Sequence, residues 1–323
     1  MILLDSNFHE MGAAEADIDI EVGTSEASTN DFEFNKNGLI CMTPGGFYIP
    51  GTEIGGMIEY LKDRTDDDAT TYRGYSWRGL LTKSIIMPPA GADYMTVSGE
   101  ANDILSSLLS GVLGDVFTVS DKDSGLVINN YQFPLYINLL DGIDLMLGAY
   151  DYRLKITAQK VASGQPIQIL LEAVRAQVVS GTYNQDNGIP MSFIVDNMGI
   201  NHLICGGSGE LQNRMIRHLY IDNNGNVSQT QYYFGFEERT EFYDYPSAES
   251  EDDLIDNGTQ RLLEAASHRT LYMQAPDNNE LDVGDIIQGT FPDGTIIRSP
   301  IIQKVYRITG GLLTVNYKIK GEE

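Results

Sequence analysis

In Ala16-Asp17-Ile18-Asp19-Ile20-Glu21-Val22, acidic and branched apolar residues alternate without a break. A two-residue period belongs to an extended strand, with three acids on one face and three apolar side chains on the other. Asp31-Phe32-Glu33-Phe34 repeats the pattern, as do Arg153-Leu154-Lys155-Ile156-Thr157-Ala158 and Val315-Asn316-Tyr317-Lys318-Ile319. Asn223-Asn224-Gly225, Pro292-Asp293-Gly294 and Gly310-Gly311 lie between such runs and carry turn chemistry. Hairpins are therefore the expected unit, and the sheets are expected to be largely antiparallel.

Three segments leave this rhythm. In residues 98–113, Ala101, Ile104, Leu105, Leu108, Leu109, Val112 and Leu113 form a helical stripe, with Ser98 placed to cap it and Gly114 to stop it. Residues 135–149 repeat the stripe with interruptions at Gly142 and Gly148. Residues 247–268 open with Glu249, Glu251, Asp252 and Asp253, acids suited to the positive end of a helix, and continue with Leu254, Leu262, Leu263 and Ala266. The expected class is α+β, dominated by β, with an α/β insertion between two β-rich portions. Thr65-Asp66-Asp67-Asp68-Ala69 is the expected exposed acidic loop.

The chain has 46 acidic and 21 basic residues, a net charge of −25. A charge-driven grip on nucleic-acid phosphate needs a basic surface, so sequence-independent DNA or RNA binding is disfavoured. Docking on anionic membranes is disfavoured for the same reason. The charge is uneven: residues 1–70 carry 15 acids and 3 bases, whereas residues 152–175 carry Arg153, Lys155, Lys160 and Arg175 against Glu172 alone. No apolar run reaches 18 residues, and the N-terminus lacks the features of a secretory signal. Cys41 and Cys205 are too few for a disulfide framework, which fits a reducing site of synthesis.

Catalytic patterns are weak. Ser208 in Cys205-Gly206-Gly207-Ser208-Gly209-Glu210 follows an apolar strand, but a nucleophile elbow requires Gly-x-Ser-x-Gly and a following helix. Here the fifth position is Glu210 and residues 214–222 alternate as a strand, so a glycine-rich strand connection is expected. His9, His202, His218 and His268 are scattered, and His202 with Cys205 makes a lone His-x-x-Cys short of the four ligands of structural zinc. Asp222-Asn223-Asn224-Gly225-Asn226 lacks the sixth-position glycine of a calcium loop, and a hairpin turn is expected there. A sugar cleft would be expected to present aromatic platforms, yet the only tryptophan is Trp77, and Tyr232, Tyr233, Tyr243 and Tyr245 fall in strand-like patterns. No phosphate-cradling glycine loop is present. The residues thus predict no catalytic, cofactor or metal site, and a structural or binding role.

Tyr72-Arg73-Gly74-Tyr75-Ser76-Trp77-Arg78-Gly79-Leu80-Leu81, followed by Ile85-Ile86-Met87-Pro88-Pro89, resembles the hub proteins of phage tails. In that family an aromatic-glycine strand enters a Gly-Arg-x-Leu-Leu-x-x-Arg-Ile stretch and a helical insertion follows. This chain departs in having the order Arg78-Gly79 and Lys83 at the later basic position. Residues 204–214, with Gly206, Gly209, Glu210 and Arg214, resemble the family's glycine-rich connection, and residues 248–263 its following helix. Asp282-Val283-Gly284-Asp285-Ile286-Ile287-Gln288-Gly289, with a last hairpin from residues 301–307 and 312–318, is similar to its closing barrel.

The resemblance, to siphophage tail-tip and baseplate hubs, spans most of the chain. It implies two β-barrel domains with α/β insertions: a first barrel over residues 1–90, an insertion over 91–182, and a second barrel over 183–323 with a helical insertion near 247–268. It implies a non-enzymatic virion protein without cofactors, forming a homotrimeric ring at the tail tip in which two barrels per copy imitate sixfold symmetry. The ring would join the tail tube or distal tail protein to a central spike or tip protein, and would assemble in the bacterial host cytoplasm. The chain ends directly after the barrel pattern, so no cell-wall hydrolase module is expected. Asp17, Asp19 and Glu21 are expected to line an acidic channel for DNA passage, where like charges prevent sticking. No sequence-specific nucleic-acid binding and no membrane insertion are expected. Two further readings are a tail-tip enzyme degrading peptidoglycan or glycan, and a module recognising host saccharides through its tyrosines.

Overall fold

The computed structural model describes residues 1–37, 45–64, 67–183, 191–222, 225–248, 250–266, 268–274, 281–290 and 296–320. Strands β1 (Ile2–Leu4), β2 (Glu10–Ala13), β3 (Asp17–Gly23), β4 (Asp31–Asn37), β5 (Gly45–Tyr48), β6 (Gly55–Arg64) and β7 (Asp67–Ser76) lead into α1 (Trp77–Leu81). Next come β8 (Thr96–Glu100), α2 (Ala101–Leu109), β9 (Phe117–Val119), β10 (Val127–Gln132), α3 (Leu139–Gly148), β11 (Tyr152–Gln159), β12 (Gln168–Arg175) and β13 (Val178–Tyr183). The chain continues through β14 (Met191–Asp196), β15 (His202–Gly206), β16 (Ile216–Ile221), β17 (Val227–Ser228), β18 (Thr240–Asp244), α4 (Glu251–Ala265) and β19 (His268–Gln274). It ends with β20 (Ile286–Thr290), β21 (Ile296–Thr309) and β22 (Leu312–Lys320). The class is α+β and strand-dominated, with one sheet curling into a half-barrel.

The residues form two compact units. The first comprises Met1–Met191, Tyr272–Gln288 and Ser299–Ile319, and the second is centred on Ser192–Leu271. In the first unit the half-barrel runs in the order β22-β21-β3-β4-β7-β6-β5-β1-β2. The alternation of β3 is realised as read: Ile18, Ile20 and Val22 are buried, while Asp17, Asp19 and Glu21 turn the other way. The buried face carries Phe32, Phe34, Phe47 and Tyr72, whose rings pack in stacked and edge-on pairs at centroid distances of 4.8 to 6.0 Å. Asp67 and Asp68 belong to β7 rather than to a broad acidic loop, because β6 and β7 pair as far as Arg64 opposite Asp67. Thr65 and Asp66 lie outside the described residues, as do Cys41, Asn223, Asn224 and Pro292-Asp293-Gly294.

The helices fall inside the predicted segments with different ends. Helix α2 starts at Ala101 because the Glu100 carboxylate, not Ser98, accepts from the backbone N–H groups of Asn102 and Asp103 (2.8 and 3.1 Å). Asn138 caps α3 through Asp141 N–H at 3.0 Å, and Gly142 inside that helix leaves space filled by Ile86. Ser250 caps α4. With β8, β10 and the β11-β12-β9 sheet, α2 and α3 bury Leu105, Leu140, Ile143, Met146 and Leu147 in a core shared with Leu4, Tyr48 and Trp77.

The second unit has a four-stranded sheet in the order β17-β16-β15-β18. Leu203, Cys205, Leu219 and Ile221 pack on one face with Leu254 and Leu262 of α4. Antiparallel pairing dominates both units, but β9–β12 and β15–β18 are parallel. In each case a long connection separates the partners in sequence, as parallel pairing requires. Tyr232 and Tyr233 lie in the connection between β17 and β18, not in a strand, whereas Tyr243 is in β18.

Candidate functional site

The polar face of β3 belongs to a cross-strand charge ladder. Register places Arg307 of β21 beside Asp19, Asp19 opposite Glu33 of β4, and Glu33 opposite Arg73 of β7. Arg307 bonds Asp19 at 3.0 Å and Arg73 donates to Glu33 at 2.6 Å, so the row reads plus, minus, minus, plus. The Tyr60 ring of β6 lies 5.6 Å from the Arg73 guanidinium and ends the row. Asp17 accepts from Gly310 N–H (2.8 Å) and Glu21 accepts from the Gln303 amide (2.9 Å). Asp17, Asp19, Glu21, Asp31, Glu33, Arg73 and Arg307 line a concavity of about 640 Å³. The face therefore holds five acids against two arginines and keeps a net negative charge despite its ion pairs.

The Gly74–Gly79 motif is placed quite differently. Gly74 lies where β7 approaches β6 so closely that a Cβ would overlap the Met57 carbonyl oxygen. Ser76 then caps α1, accepting from Gly79 N–H at 3.2 Å, and the helix delivers Trp77 and Arg78 into the core. Arg78 is only 1% exposed: its Nε donates to Glu53 Oε1 at 2.7 Å, its Nη2 to the Leu154 carbonyl, and its Nη1 is 3.8 Å from Asp144 of α3. Burial pushes the Asp144 carboxyl up to about 6, only partly opposed by Arg78. Arg153, one of the bases of residues 152–175, is also buried; it donates to the fully enclosed Asp285 at 2.6 Å. Lys304 lies 2.9 Å from Asp282. Burial raises the Asp282 carboxyl, but Lys304 and Arg153 outweigh it and hold the acid below its usual range. This motif is an internal brace.

In the second unit, Gly206, Gly209, Glu210 and Arg214 surround a single turn that follows β15, and Leu211–Asn213 form a short 3-10 turn rather than a catalytic helix. Gly209 has φ +98°, a conformation that favours glycine. Arg214 folds back to donate to the carbonyls of Gly206 and Gly207 (3.0 and 3.1 Å), pairs with Asp244, and lies 5.5 Å from the Phe242 ring. Ser208 is exposed and Glu210 makes no side-chain cap.

His202 and Cys205 lie on opposite faces of β15, so the His-x-x-Cys pattern does not converge. Cys205 packs against Gly258 of α4, and burial pushes its thiol up to about 11. His202 instead meets His218, a pairing that the sequence reading missed; the hairpin register of β15 and β16 was the signal that could have found it. Among the described residues, no group of three or more His, Cys, Asp or Glu could hold a metal ion. Among them, too, no helix is long and apolar enough to cross a membrane.

No family model matches the sequence. No curated protein matches it either. Solved structures do resemble the fold. The 43 kDa tail protein of prophage MuSo2 from Shewanella oneidensis superposes with a TM-score of 0.51 at 10% identity, covering 98% of this chain and 97% of that one. A prophage tail protein from Listeria monocytogenes EGD-e aligns over 98% of this chain and 94% of its own at 14% identity, with a TM-score of 0.46. A tail protein from Neisseria meningitidis MC58 covers 99% and 96% at 11% identity, with a TM-score of 0.47. From end to end, the chain has the fold of a prophage tail protein.

Proposed function

We propose that this chain is a structural, non-enzymatic subunit of a phage or prophage tail. Three copies form a hub ring at the distal end and join the tail tube to a central spike or tip. The observation that carries this reading is the likeness to the fold of the MuSo2 tail protein, which spans 98% of this chain and 97% of that one. In the ring, residues 1–90 together with the closing hairpin of β21 and β22 supply a first barrel, 91–182 an α/β insertion, and the rest of 183–323 a second barrel with its helical insertion near 247–268. The complex belongs to the virion and assembles in the host cytoplasm.

The charge ladder gives the channel role a physical form. Asp17, Asp19 and Glu21 face solvent from a stiff sheet, and their excess over Arg73 and Arg307 supports a wall that repels DNA phosphate. Gly74, Trp77, Arg78 and Gly79, and likewise Gly206, Gly209, Glu210 and Arg214, are proposed as structural motifs only. Light scattering of the purified chain over a concentration series should give a discrete trimer mass. A strict monomer at high concentration, together with turnover of peptidoglycan, would replace this reading with the cell-wall enzyme. Reversing Asp17, Asp19 and Glu21 to lysine should slow DNA ejection in a phage carrying the variant; unchanged ejection would remove the channel role.

A further inference from the structure

The face of the second unit's sheet turned away from α4 carries a histidine pair. His202 of β15 is 6% exposed, and its Nε2 lies 2.8 Å from Nδ1 of His218 on β16. The two rings stack with centroids 5.1 Å apart, and Tyr220 stacks on His202 at 4.3 Å. On its other side, Nδ1 of His202 is 2.7 Å from Glu238 Oε1 and 2.9 Å from the Thr240 hydroxyl. His202 thus links β16, β18 and the connection that enters β18.

Among the described residues, other charged groups near the pair are few and mostly occupied. Glu237 and Arg239 flank Glu238 on the connection. Arg214 and Asp244 pair at the far end of the same face, and Asp222 beyond Tyr220 accepts from Asn226. The pairs Arg217–Glu251 and Arg261–Glu241 lie on the α4 side. Glu238 is therefore the acid that meets His202.

A carboxylate accepts and cannot donate, so Glu238 places the His202 proton on Nδ1 and leaves a lone pair at Nε2. His218 must then donate its Nδ1–H to that lone pair. One added proton still leaves a single N–H between the rings; a second, on His202 Nε2, would set two N–H groups against each other across 2.8 Å. Burial lowers the affinity of His202 for that proton; Glu238 opposes this and His218 reinforces it.

We propose that the His202–His218 bond is an acid-labile clasp in the second unit. At neutral pH it ties β15 to β16 on the face that α4 leaves open. When both rings are protonated, His218 is expelled and His202 keeps its ion pair with Glu238. The sign follows from linkage. His202 resists protonation in the folded chain more than in the unfolded one, so its contribution is complete above the ordinary histidine value of 6.5 and is lost as the pH falls through its lower folded value.

Ring-nitrogen NMR titration of the full chain tests this. His202 should take up its second ring proton below the ordinary histidine value of 6.5. His218→Gln should raise the His202 midpoint, and Glu238→Gln should lower it. Amide exchange in β15 and β16 should accelerate below the His202 midpoint in the unaltered chain and lose this acid dependence in His218→Gln. A His202 midpoint at or above 6.5 would overturn the proposal. So would a His202 midpoint unmoved by His218→Gln.

Discussion

Arg78 and Arg214 each close a glycine-rich motif, yet their surroundings are opposite. Arg78 is sealed in the first unit between Glu53, Asp144 and the Leu154 carbonyl. The side chain of Arg214 is 25% exposed and pairs with Asp244 at the surface of the second unit, while holding two backbone carbonyls of its own turn. A buried charge that loses its partner stays uncompensated in a low-dielectric interior, whereas water replaces much of a surface pair. The same residue type is thus a brace for a whole core in one unit and a local clip in the other.

Removing each arginine should expose this difference. Arg78→Ala should destabilise the first unit by about 3–5 kcal/mol, because Glu53 is left buried and alone. Arg214→Ala should lower stability by only about 1–2 kcal/mol, through two freed carbonyls and a partly screened pair. Urea unfolding followed by probes in each unit would show both effects, and equal losses would erase the contrast. A pH-dependent effect concerns Asp144. Its folded carboxyl holds a proton up to about pH 6, while the unfolded chain releases it near 3.8. Protonation therefore favours the fold between these values, and Asp144 adds stability as the pH falls from 6 towards 4. Asp144→Asn should abolish that slope, which thermal unfolding across this window would reveal.

Much of the local structure was legible beforehand. The alternation of residues 16–22 predicted β3 and its acidic face, and Gly310-Gly311 predicted the turn joining β21 and β22, where both glycines have positive φ. The three helices appeared within their segments, but Glu100 displaced Ser98 as a cap because Ser98 lies in β8, where its hydroxyl accepts from Asn130 N–H. The parallel pairing of β15 with β18 was not legible, since a period of two marks a strand but names no neighbour. For the same reason the burial of Arg153 was not legible, since its partner Asp285 stands 132 residues away.

What the sequence alone determined is the alternating face of each strand, the helical stripes and the acidic excess, all of which depend on neighbours within a few residues. Only the tertiary structure decided which charges meet. It set Asp19 between Arg307 and Glu33, enclosed Arg78 with Glu53, and brought His202 to His218. Those encounters depend on strand order and register, and on the burial that makes a misplaced charge expensive.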